Sequence, residues 1–165
     1  IGDEGAMLLA DSLRVNKTLT KLDLESNEIC VEGAEALAEA LKVNKTLTDV
    51  GIGDNEIGDE GVKALAEALK KNETLTDLVL RWNKIGPKGA MTLAEALKVN
   101  KTLTGLNLEH NKIDSEGAKA LAEALLENDT LTHLNILFND EMGDEDQERF
   151  KSLPRILAGK LDIKI

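Results

Sequence analysis

Trp82, His110 and Phe138 follow one another at intervals of 28 residues. Rings at one recurring position are placed to stack and to anchor a protein partner. Arg81 and Glu109 precede two of them and add a cation and an anion to the same patch. Phe150 is the only other aromatic in a chain without tyrosine, so this placement is informative. Phe138 is open to two readings, a binding anchor or a side chain covered by the C-terminal segment. His133 joins His110 on the expected face, but the two stand about five strand positions apart, ~16 Å at ~3.3 Å per residue, too far to share an ion. No metal site, cofactor or catalytic constellation is expected, because nucleophile, base and orienter cannot be assembled from residues that fill repeat columns. The acidic run of Asp140, Glu141, Asp144, Glu145 and Asp146 lacks the spacing of a calcium loop. It reads instead, like the Gly-Asp-Glu-Gly segments at 2–5 and 58–61, as carboxylates favoured at helix starts.

Composition narrows the partners. Of the 165 residues 42% are hydrophobic, enough to bury the core of one domain, and the formal charge is -11. Such a field repels phosphate backbones and anionic lipids, so neither nucleic acid nor membrane is expected. No apolar run is long enough to span a bilayer and no signal-peptide pattern opens the chain. Cys30 is the single cysteine, which suits a reducing, cytoplasmic setting.

The elements that position these residues are legible in a repeat. Ile1, Ile29, Ile57, Ile85 and Ile113 recur every 28 residues, as do Gly5, Gly33, Gly61, Gly89 and Gly117, a solenoid period. Leu19-x-x-Leu22-x-Leu24-x-x-Asn27 returns in every unit, and its alternation predicts a short strand with one buried face. After each glycine the period changes: Ala34, Leu37, Ala38 and Leu41 share one helical stripe. Parallel strands stack ~4.8 Å apart whereas helix axes need ~8 to 10 Å. The stack must therefore curve, with strands on the concave face and helices on the convex one. The fold class expected is an α/β leucine-rich-repeat solenoid, one domain over 1–165. Residues 1–18 form an incomplete first repeat, 19–139 the repeats, and 140–165 a cap with a helix interrupted near Pro154 and a sixth strand. Asn16, Asn44, Asn72, Asn100 and Asn128 begin Asn-x-Thr sequons; as helix-end residues suited to a left-handed turn they are given a structural reading rather than a glycan.

These motifs resemble the ribonuclease-inhibitor-like repeats of NOD-like receptors, of the GTPase activator of Ran and of tropomodulins, with residues 57–70 most similar to the NOD-like receptor version. The resemblance covers residues 1–140. It implies that Asn27, Asn55, Asn83, Asn111 and Asn139 form a ladder serving loop backbone groups, and it implies architecture more firmly than function. Ribonuclease inhibitors alternate two repeat lengths and are rich in cysteine, and this chain does neither, so ribonuclease is not expected as the partner.

The internal repeats serve as controls, and positions that vary between them are the candidate site. Trp82, Arg81, His110, Glu109, Phe138 and His133 form its C-terminal part on the concave face, and Asp77, Asp49 and Asp23 its acidic N-terminal part. The expected function is a non-enzymatic protein-interaction module, part of a larger receptor or scaffold, whose partner carries a basic patch. A GTPase-activator type of regulator and a tropomodulin-like actin-binding domain are the alternatives. Met7 and Leu8, where other repeats have Glu35 and Ala36, predict self-association through the N-terminal end.

Overall fold

Leucines spaced two apart bury one side of a short strand in each repeat, and the computed structural model, which describes residues 1–139 and 142–165, bears this pattern out. The strands are β1 (Lys21–Asp23), β2 (Asp49–Gly51), β3 (Asp77–Val79), β4 (Gly105–Asn107) and β5 (His133–Asn135). They lie parallel in sequence order, with Leu22, Val50, Leu78, Leu106 and Leu134 abreast. Helices α1 (Gly2–Val15), α2 (Val31–Leu41), α3 (Gly58–Leu69), α4 (Pro87–Val99) and α5 (Ser115–Glu127) alternate with them. The result is a solenoid with strands on the concave face and helices on the convex face.

Each helix begins slightly ahead of its repeat glycine, which therefore falls in the first turn. The reason is close helix packing: a Cβ on Gly117 would lie 2.9 Å from the Ala90 Cβ of the preceding helix. Ala40, Ala68, Ala96 and Ala124 are buried in the same seam.

Two asparagine columns hold the loops. Asn55 Oδ1 accepts the N–H groups of Asn27 and Ile29 at 3.1 and 2.8 Å, while its Nδ2 donates to the carbonyls of Leu24, Ile52 and Gly53. Asn83, Asn111 and Asn139 repeat the arrangement one unit further on. The second column corrects an expectation. Asn16, Asn100 and Asn128 close their helices with extended backbone, φ between -67 and -84, not with a left-handed turn. The side chain makes the turn instead: Asn44 Oδ1 accepts from the N–H groups of Thr46 and Leu47, and Nδ2 reaches the Leu13 carbonyl of the previous helix at 2.8 Å. Asn72, Asn100 and Asn128 do the same. With these four side chains buried and their amide nitrogens committed, the sequons at Asn44, Asn72, Asn100 and Asn128 are structural.

The Gly-Asp-Glu-Gly segments do more than complement their own helix dipoles. Asp3 Oδ1 accepts from the N–H groups of Cys30 and Gly33 in the next repeat, and Asp59 Oδ1 from those of Gly86 and Gly89. One helix's first turn thus caps the helix that follows, at every second repeat. Asp3 thereby takes donors that would otherwise stabilise a thiolate at Cys30, the N-cap residue of α2. Burial, reinforced by Asp3, Glu56 and Glu32, pushes the Cys30 thiol above its ordinary range.

At the C-terminal end α6 (Asp144–Lys151) and α7 (Pro154–Leu157) are separate, and β6 (Asp162–Lys164) adds to β5 in parallel. Phe150, Leu153 and Leu161 are buried in the cap. Arg155 donates to the carbonyls of Asn128 and Asp129, standing where the next asparagine of the column would be. Asp140 and Glu141 of the acidic run lie outside the described residues; Asp146 is buried, accepting from Ser115 Oγ and the Gly143 N–H.

Denaturant melts and thiol labelling check this packing. Leu78→Ala, truncating a side chain that is 1% exposed, is expected to cost ~2 to 5 kcal/mol. Glu67→Ala, which loses only an exposed pair with Lys70, stays within ~0.5 kcal/mol. Asn111→Ala strands the N–H groups of Asn83 and Ile85 at ~1 to 3 kcal/mol each, so it should rival Leu78→Ala although it removes no apolar surface. For Cys30, alkylation by iodoacetamide near neutral pH should run several-fold slower than for a free thiol; an equal or faster rate would show the thiolate to be stabilised.

Candidate rim site

The backbone ladder does not stop with the three-residue strands. Trp82 N–H donates to the Glu109 carbonyl and His110 N–H to the Leu137 carbonyl, both at 3.0 Å, and Ser26 and Asp54 make the equivalent bonds. These bonds hold one residue per repeat in register at the edge where the chain leaves the sheet. That residue is left-handed in every repeat, with φ of 57 at Ser26, 51 at Asp54, 57 at Trp82, 53 at His110 and 58 at Phe138.

Because the ladder fixes the repeat spacing, the three rings of the column stack. Trp82 and His110 centroids are 3.8 Å apart at an interplanar angle of 16°, and His110 and Phe138 are 4.4 Å apart at 15°. Trp82 is 49% and Phe138 55% exposed, so the C-terminal cap leaves Phe138 uncovered. Glu109 accepts from Asn135 Nδ2 at 3.0 Å and approaches His110 Nε2 at 3.9 Å. Left-handed backbone is unfavourable for residues with a large Cβ substituent, by ~1 to 2 kcal/mol, and is best borne by Gly, Asn and Asp. Trp and Phe are retained here against that preference.

The sequence placed this column on the concave face, and the geometry corrects the position. It stands on the rim, three residues beyond the last strand residue, Val79 in the case of Trp82. Side-chain alternation cannot be extended past a left-handed residue. Behind the column lies a second row, Glu28, Glu56, Lys84 and Lys112, which sequence reasoning passed over. All four are exposed. Their signal was available: they are the one variable position between the invariant Asn and Ile of each repeat. The two rows wall a groove of about 730 Å³ whose floor includes Asn55 and Asn111. Glu56 and Lys84 pair along the second wall at 2.8 Å.

The remaining candidates separate from the stack. Arg81 forms an ion pair with Glu25, two repeats away, passing over Gly53, where a Cβ would meet the Arg81 side chain at 3.0 Å. Glycine in the second repeat is what lets this bridge form. Asp23, Asp49, Asp77 and His133 are on the strands. Asp23 accepts from the Glu25 N–H at 3.0 Å. The Lys21 ammonium, 2.8 Å from Asp49, holds that carboxyl below the ordinary carboxylate range, with help from the Thr48 hydroxyl. Asp77 leans over Gly105, where a Cβ would be 2.3 Å from its Oδ1, and His133 faces it across that gap with Nδ1 2.9 Å from the Thr132 hydroxyl. The concave acids are therefore partly engaged in holding the sheet edge, whereas the rings of the rim are supported but not covered. Among the described residues no cluster of His, Cys, Asp or Glu is arranged to hold a metal ion, and no helix is long and apolar enough to cross a membrane.

This architecture has counterparts. A solved structure of leiomodin-1 actin-binding site 2 superposes with a TM-score of 0.79 and 24% identity, covering 95% of this chain and 88% of that one. The tropomodulin C-terminal domain of Caenorhabditis elegans gives a TM-score of 0.76 at 18% identity, over 93% of this chain and 92% of the other. At these identities the likeness is one of fold. No curated protein sequence matches the chain. A leucine-rich-repeat family profile matches residues 15–38 and the TMOD/LMOD leucine-rich domain profile matches residues 54–149; neither is a NOD-like receptor profile. With more than half of its length matched, from the loop after β2 to the first helix of the cap, the chain belongs to the TMOD/LMOD leucine-rich domain family.

Proposed function

We infer that this chain is a non-catalytic protein-binding domain whose partner docks on the rim, over the Trp82–His110–Phe138 stack and the adjoining acidic concave strands. The observation that supports the reading is the stack itself: exposed rings held in left-handed backbone at positions where the first two repeats carry Ser26 and Asp54. Strain of this kind, kept where a polar residue would be easier, is a mark of function rather than folding. Exposed aromatics in a rigid frame are the usual energetic centre of an interface. The acidic strands, with Asp49, Asp77 and Asp23, favour a partner that is basic where it meets them.

Within this reading actin is the partner to test first. Family membership, together with a structural counterpart described as an actin-binding site, favours it over a GTPase or a receptor ligand. Met7 and Leu8 are exposed on α1 at 43% and 67%, a separate apolar surface through which the chain is proposed to self-associate.

Trp82→Asn places a residue tolerant of left-handed backbone in the column. It should shift the melting temperature by no more than about 1 to 2 °C, equivalent to ~0.5 kcal/mol, while weakening partner binding by about tenfold or more, the scale of an aromatic hot spot. Co-sedimentation with filamentous actin, parent against variant, checks both. Failure of the parent to sediment removes actin, and equal sedimentation of the two removes the stack as the site. Sedimentation velocity at high concentration should show association that Met7→Glu weakens; two indistinguishable monomers would end the self-association proposal.

A further inference from the structure

The groove behind the stack has a charge polarity, set by the row Glu28, Glu56, Lys84 and Lys112 and reinforced by Asp54 in the column. At its N-terminal end stand Asp54 and Glu28, both exposed, with the Ser26 hydroxyl donating to Asp54 at 2.6 Å. At the other end Lys112 faces the ring column. Between them the Glu56–Lys84 pair closes on itself, leaving carboxylates on one side and an ammonium on the other. Apolar contact is concentrated in the middle and at the Lys112 end, where Trp82, His110 and Phe138 line the wall.

We propose that this groove binds one extended segment of the protein partner, carrying a basic side chain at one end, apolar or aromatic side chains in the middle and a carboxylate at the other end. The inference rests on the reading of the stack as the partner's anchor and adds the chemistry of what lies on it. The basic side chain sits over Asp54 and Glu28, the apolar ones against the edges of Trp82 and Phe138, and the carboxylate near Lys112. Dimensions agree. Five repeats at ~4.8 Å per step span ~19 Å, and an extended chain covers that with about six residues at ~3.3 Å each. The groove cannot be lined by flexible loops that would close on themselves, because its floor asparagines and the column N–H groups are bonded between repeats. It is therefore formed before the partner arrives, which limits the entropy lost on binding. The carboxylates at one end would repel a phosphate backbone, so a strand of nucleic acid fits the groove less well than a peptide of mixed charge.

A phage-displayed library of random seven-residue peptides, selected on the immobilised full chain and counter-selected on Trp82→Asn, reads the chemistry directly. Enriched sequences should share a basic and an acidic residue separated by apolar or aromatic ones. Synthetic versions should perturb the fluorescence of Trp82, the single tryptophan. Lys112→Glu should weaken such a peptide about tenfold, and exchanging the peptide's acidic residue for lysine should restore binding to that variant. Asp54→Asn, which keeps a residue suited to left-handed backbone, should relax selection for the basic residue alone. Enrichment without charge polarity, peptides that bind Trp82→Asn equally well, or no enrichment at all would each overturn the proposal. If such a result came while Trp82→Asn still abolished binding of the whole partner, the segment would be wrong and the stack right. If Trp82→Asn left whole-partner binding intact, both would fall.

Discussion

Where each repeat leaves the sheet it carries backbone N–H and C=O groups into an interior without water, and one buried asparagine side chain per repeat answers them. Asn55 serves three carbonyls and two N–H groups, and three of these five belong to the neighbouring repeat. Unmet, such groups cost ~1 to 3 kcal/mol apiece. No loop of this chain is therefore stable by itself; it is stable because the next repeat supplies the amide. The second column, Asn44 to Asn128, applies the same logic at the helix ends. Stability is in this sense a property of neighbouring pairs, as expected of a solenoid.

The rim site is a consequence of that ladder. Bonds between repeats set the spacing of the column, and the spacing is close to the thickness of a stacked ring pair. Aromatic side chains placed there cannot avoid one another, and they stack at 3.8 and 4.4 Å. The same bonds force the left-handed backbone that makes Trp and Phe unfavourable as folding residues. The fold thus offers a position where large side chains are displayed, ordered and energetically unrewarded by the core. The proposed docking of a partner on the rim would account for them.

Variation is confined in a way that keeps the ladder intact. Gly51 and Gly53 thin the concave face at the second repeat, and the gap is crossed by Arg81 and Glu25. Gly105 opens a second gap under Asp77. Neither change touches an asparagine. The alternation of Asp3 and Asp59 as caps for the following helix shows a two-repeat unit hidden within a constant length. The rim row follows a different pattern, Glu28 and Glu56 giving way to Lys84 and Lys112.

How much of this the sequence determined follows from the range over which each signal acts. The period of 28, the Leu22/Leu24 alternation and the helical stripe of Ala34, Leu37, Ala38 and Leu41 are local patterns, and they fixed strands, helices and their order correctly. The asparagine ladder was legible through resemblance, and the helix break near Pro154 and the sixth strand through the proline and the spacing of apolar residues. The ring column was visible because identical spacing brings identical positions together in any stack. What sequence could not decide is where a side chain points once the backbone turns left-handed, so the stack was assigned to the concave face when it stands on the rim. Nor could it show that Asn44 and its equivalents reach back to the previous helix, that Asp3 caps the next one, or that Arg81 is bound by Glu25 across Gly53. Those contacts join residues one or two repeats apart, and they exist only when curvature and register have set the distances between them.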